Sequence, residues 1–110
     1  MFQALPSDSD KLAEARVWIG FLAAALSDPI LAERHALHSR AFAARLMRLL
    51  EASGVGDSVD ARDQASTLAA AVEGVSTLAA GDPERWPASR QRQAIELVLA
   101  ATAGAARPLA

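Results

Sequence analysis

With 110 residues, no cysteine and a formal net charge of −2, the chain is read as one domain, 1–110, without a disulfide framework or a Cys-containing zinc site. Thirteen acidic against eleven basic residues leave no basic face for phosphates, which argues against direct nucleic-acid contact by this chain. The longest apolar run, VWIGFLAAAL, is about half of the ~20 residues a membrane span needs. MFQALPSDSDK lacks the basic segment and long apolar run of a signal peptide. A cytoplasmic chain with no membrane partner is expected. Alanine, the strongest helix former, occurs 27 times, and the β-branched and aromatic runs that build strands are missing. The expected fold is all-α, an antiparallel four-helix bundle.

The first helix opens at capping residues between Ser7 and Asp10 and runs to about Asp28. At about 100° per residue, Leu12, Ala15, Trp18, Ile19, Leu22, Ala25 and Leu26 share one face. Val17, Phe21 and Ala24 lie on the other, so the helix is apolar nearly all round and is expected at the centre of the bundle. Asp28-Pro29 starts the second helix, with aspartate as N-cap and proline at the first helical position. That helix is expected to stop at Gly54, with Gly56 beyond it. Leu31, His35, His38, Phe42, Leu46 and Leu49 form its buried stripe, with both histidines in the middle. The third helix begins near Asp57 or Asp60 and ends at Gly81. Its core face is Ala61, Ala65, Leu68, Val72, Val75 and Ala79. Asp82-Pro83 makes a turn and Trp86 packs the loop back onto the fourth helix, which buries Ala94, Ile95, Val98, Leu99 and Thr102 and ends near Gly104. The tail after it is expected to fray.

More apolar surface is present than four helices can cover among themselves. Thr67, Ala71, Gly74 and Leu78 make a second face on the third helix, mostly of small residues, and Ile95, Leu97, Val98 and Ala101 extend it onto the fourth. A glycine inside a helix costs about 1 kcal/mol relative to alanine, and close packing is one compensation. These two helices are the expected interface of a homodimer.

The stretch HALHSRAF carries both histidines of the chain. As metal ligands one turn apart they need a third and fourth donor. The Glu-x-x-His signature of helical di-metal sites fails, because position 32 is alanine. No metal or other cofactor is expected. An enzyme is not expected either: there is no cysteine, no serine in a strand–turn–helix elbow and no Gly-rich phosphate loop. Two readings stay open. The histidines line a cavity for a mostly apolar ligand, or they are structural and bonded to a backbone carbonyl or a glutamate.

The order of Leu5-Pro6, Arg16-Val17-Trp18, Phe21, Ala25-Leu26 and Asp28-Pro29 resembles the regulatory domain of TetR-family transcriptional repressors, in the branch with a BetI-like C-terminal region. Glu73-Gly74-Val75 and the DPERWP link match later parts of that pattern. Departures are Glu73, where aspartate is usual, and the polar pair Ser76-Thr77 in place of bulky residues. The resemblance spans residues 2–107 and implies an effector-binding and dimerisation domain. It also implies an N-terminal helix-turn-helix domain that is absent from this chain, with Phe2 to Leu5 as the end of the connecting helix.

Such a domain takes a small molecule among its first three helices. Binding shifts the population of states and changes operator affinity at the DNA-reading heads. Trp18, Phe21, Leu22, His35, His38, Phe42, Arg45 and Val72 are the residues expected at the ligand. The alternative is a stand-alone helical dimerisation or adaptor protein without a small-molecule ligand. A tightly filled core favours the adaptor; an interior void at His35, His38 and Phe42 favours the repressor domain.

Overall fold

Two aspartates do the same work at two helix starts. In extended backbone, a short carboxylate reaches the N–H groups that a first helical turn leaves without partners. Asp8 Oδ1 accepts from the Lys11 N–H at 2.9 Å. Asp28 Oδ1 accepts from Ile30 at 2.9 Å and Leu31 at 3.4 Å, and Pro29 stands at the helix start, where it has no donor to lose. The computed structural model describes residues 5–53 and 59–106, of which 59, 60 and 103–106 are described by backbone alone. Its helices are α1 (Ser9–Ala25), α2 (Pro29–Ala52), α3 (Val59–Gly81) and α4 (Ala88–Ala106), and no strand occurs among the described residues.

The other helix ends follow local chemistry. Ser53 closes α2, its hydroxyl donating to the Leu49 carbonyl at 2.9 Å. The expected glycine stop at Gly54 and Gly56 lies outside the described residues, as do Asp57, residues 2–4 of the expected connecting helix and the last four residues. Leu5 itself is in a bend rather than a helix. After Gly81 the chain turns at Asp82, whose backbone carbonyl accepts from Trp86 N–H at 3.2 Å and whose side chain accepts from Arg85 N–H at 3.3 Å. The Pro87 carbonyl then accepts from the Arg90 and Gln91 N–H groups in the first turn of α4, both at 3.0 Å. That helix continues through Gly104 to Ala106, further than expected, because Ala105 and Ala106 favour helix strongly enough to carry it past the glycine.

The centre of the bundle is α3, which packs on α1, α2 and α4. Its buried alanines, Ala61, Ala65, Ala69, Ala79 and Ala80, let its neighbours approach closely, while Leu68, Val72 and Val75 supply apolar volume. One core cluster joins Leu5, Val72, Val75 and Ile95, with Trp86 against it. The other joins Leu46, Ala65, Leu68 and Ala69, with Met47, Leu50 and Val98 against it. Phe42 touches both. Gln91, only 2% exposed, donates from Nε2 to the carbonyls of Pro6 at 3.1 Å and Trp86 at 2.9 Å, and so ties the N-terminal segment to the start of α4.

Two expectations are corrected here. The first helix is not central: Ala25 is its one buried residue, Leu26 just past its end is 83% exposed, and neither core cluster contains a residue of α1. Its apolar circumference is divided between solvent and a hollow, whereas α3 has neighbours on several sides. Ile95, expected at the dimer interface, is 0% exposed and lies inside the chain's own core beside Leu5, Val72 and Val75. It has no surface left to offer a second chain.

Candidate functional site

A short link, Leu26 to Asp28, folds α1 back against α2. Antiparallel pairing then sets Trp18 opposite His38, with ring centroids 4.3 Å apart, and Phe21 near His35 at 6.4 Å. Trp18 also stacks on His35 at 5.7 Å and on Phe21 at 5.1 Å. The four rings form one cluster across the two helices. Distances of this order suit offset or tilted ring contacts. The rings hold α1 in place near its C-terminal half without filling the space beneath it.

Arg16 makes a second tie. Its Nε donates to the Ala80 carbonyl at 3.3 Å, satisfying an acceptor that the last turn of α3 leaves open. Between these ties lies a cavity of about 390 Å³ walled by α1, α2 and α3. That volume falls within the ~300–1,000 Å³ typical of small-molecule sites. Trp18, Ile19, Leu22, Phe42 and Val72 supply apolar wall, and His35, His38, Lys11, Glu14, Arg45, Glu73, Ser76 and Thr77 supply polar groups.

Of the residues expected at a ligand, Trp18, Leu22, His35, His38, Phe42, Arg45 and Val72 all border this one cavity. Phe21 does not; it stands behind Trp18 and backs the ring cluster. The histidines are less buried than their stripe implied, His35 half-buried and His38 exposed. Neither imidazole hydrogen-bonds to another described residue, so the arrangement differs from that of a structural histidine held by a carbonyl or glutamate. No group of three or more His, Asp or Glu side chains that could hold a metal ion occurs among the described residues.

Lys11, Glu14, Ala15 and Ile19, and the α3 trio Glu73, Ser76 and Thr77, border the cavity without having been singled out for it. A signal was present for each group. Lys11, Ala15, Trp18 and Leu22 recur at helical spacing on one face of α1. Glu73, Ser76 and Thr77 likewise recur at helical spacing on one face of α3.

On the other side of the molecule, Thr67, Gly74 and Leu78 of α3 and Leu97 and Ala101 of α4 are exposed, and Ala71 and Val98 are half-buried. Leu78 is 52% and Leu97 65% exposed. A Cβ added at Gly74 would meet nothing within 4 Å in the chain itself, so close packing inside the monomer does not account for that glycine.

Among the described residues, no helix is long and apolar enough to cross a membrane. Comparison with curated proteins and with solved structures gives no significant match. A family model described as the C-terminal part of BetI-type transcriptional repressors matches residues 2–104, nearly the whole chain and the same span that contains the ring cluster and cavity. The chain belongs to this family and is a C-terminal regulatory domain of the TetR-type repressors.

Proposed function

We propose that this domain binds a small-molecule effector in the cavity between α1, α2 and α3, and dimerises through the exposed faces of α3 and α4. The observation that carries the effector reading is the cavity itself: about 390 Å³ bordered by α1, α2 and α3 and lined by aromatic and charged side chains together. Effector binding redistributes the domain between states that differ in how the N-terminal segment sits on α4. Operator affinity then changes in an N-terminal helix-turn-helix domain outside this chain, which alone touches DNA. The domain acts in the cytoplasm, performs no catalysis and uses no cofactor. A stand-alone adaptor has no need of a recess lined by aromatic and charged side chains together, and this lining supports the effector reading over that one.

Thermal denaturation across a panel of small organic molecules is the test. A true effector raises the midpoint in proportion to the logarithm of its concentration, by linkage. Ala15→Trp, which fills the cavity from α1, should abolish the rise while leaving a folded helical domain. If no compound in a broad panel raises the midpoint, or if Ala15→Trp leaves the rise intact, effector binding in this cavity is wrong.

A further inference from the structure

The register that pairs Trp18 with His38 has a consequence for charge. Lys11 precedes Trp18 by seven residues and Arg45 follows His38 by seven, so in antiparallel helices both cations stand ~10 Å from the ring pair, at the same end of the cavity. Both border it. Lys11, the one lysine of the chain, is half-buried, and the Arg45 guanidinium is drawn over the Phe42 ring at 5.7 Å. Glu14 and Glu73 border the same space, but their side chains are exposed, and neither is ion-paired to Lys11 or Arg45. Two cations border the hollow, neither paired with a carboxylate among the described residues, and the two carboxylates lie between that end and the rings.

On the reading that the cavity binds an effector, we propose that it selects an aromatic organic acid about 10 Å long. Its oxyanion head is held at the Lys11 and Arg45 end, and its flat body lies against Trp18 and Phe42. A guanidinium and an ammonium from different helices can donate to one carboxylate or sulfonate, and charge-assisted bonds of this kind are the stronger class. A flat body matches Trp18 and Phe42 better than a bulky aliphatic one, because ring faces stack. Glu14 and Glu73 repel a second anionic group at mid-length, so the acid function belongs at the end of the molecule.

The test uses two probes with the same body, 8-anilinonaphthalene-1-sulfonate and the uncharged N-phenyl-1-naphthylamine. Binding is read by quenching of Trp18 fluorescence in a Trp86→Phe background, where Trp18 is the remaining tryptophan. The sulfonate should bind at least ~10-fold more tightly than the neutral probe, the range expected for a hydrogen bond to a charged group. Lys11→Met combined with Arg45→Met should erase that ratio by weakening binding of the sulfonate. Both side chains are at least partly exposed, and circular dichroism verifies that the double variant folds. Equal binding of the two probes, or a ratio that survives the double substitution, overturns the anion preference while leaving the cavity as a ligand site. Absence of quenching by either probe overturns the preference for an aromatic acid, and the effector reading then stands or falls on the thermal panel alone.

Discussion

Asp28 is where a single side chain has the clearest measurable effect on this fold. It accepts two backbone N–H groups at the start of α2 and also sets the bend that brings α1 back over α2. Asp28→Ala removes both bonds and should destabilise the domain by ~1 kcal/mol, the usual cost of losing an N-cap. For a domain of this size the melting midpoint should then fall by ~4 °C. A change below one degree means that Pro29 and the ring cluster set the bend without the cap. Gln91 works differently, through burial: its amide N–H groups satisfy two carbonyls, and its Oε1 is itself without a partner among the described residues. Carbonyls in the N-terminal segment and the α3–α4 turn are thus held by one side chain of α4.

At the scale of the helices, α1 and α3 are opposites although both are rich in alanine. Most alanines of α3 are buried between neighbours, and those of α1 are mostly exposed. What holds α1 is the ring cluster, the Arg16 bond to Ala80 and Ala25 near the turn. Few buried apolar contacts mean a low free energy of local opening. Amide hydrogen exchange should therefore run faster in α1 than in the middle of α3 in the ligand-free domain, and a bound effector should slow α1 more than α4. Equal protection of α1 and α3 before ligand is added contradicts this account of α1. Such a loosely held helix is a physically reasonable cavity wall, since it can close on a ligand without disturbing either core cluster.

At the scale of the whole molecule, the monomer leaves apolar side chains uncovered at Val17, Leu26, Ile30, Leu37 and Leu49 on or beside α1 and α2, and over a face of small residues on α3 and α4. Leu78 and Leu97 are more than half exposed, and Gly74 faces open space. Gly74→Ala fits the monomer without strain and should raise helix stability by up to ~1 kcal/mol. Gly74→Leu also fits the monomer, yet it stands where a second chain is proposed to approach. By sedimentation equilibrium, the unsubstituted domain should be a dimer and Gly74→Leu a folded monomer near 11.5 kDa. An unchanged dimer mass in that variant removes the small-residue face of α3 from the interface.

The helices were legible because their causes are local. Asp8 and Asp28 as caps, Pro29 at a first helical position and the turn at Asp82 act within a few residues. The stripe containing His35, His38 and Phe42 follows from helical periodicity alone. Composition spoke against strands, and the absence of cysteine left nothing for a disulfide. What sequence could not decide was which apolar face meets which. Periodicity ranks faces by hydrophobicity, and α1 is apolar on almost every side, so nothing local distinguishes a core face from a cavity wall. Ile95 fell to the same ambiguity, since a face on α4 can serve a neighbouring helix or a second chain. Tertiary structure resolved both: α3, with the smallest side chains, allows close approach on several sides and takes the centre. α1 meets α2 through the rings of Trp18, Phe21, His35 and His38, and the cavity lies beside that cluster, bordered by α1, α2 and α3.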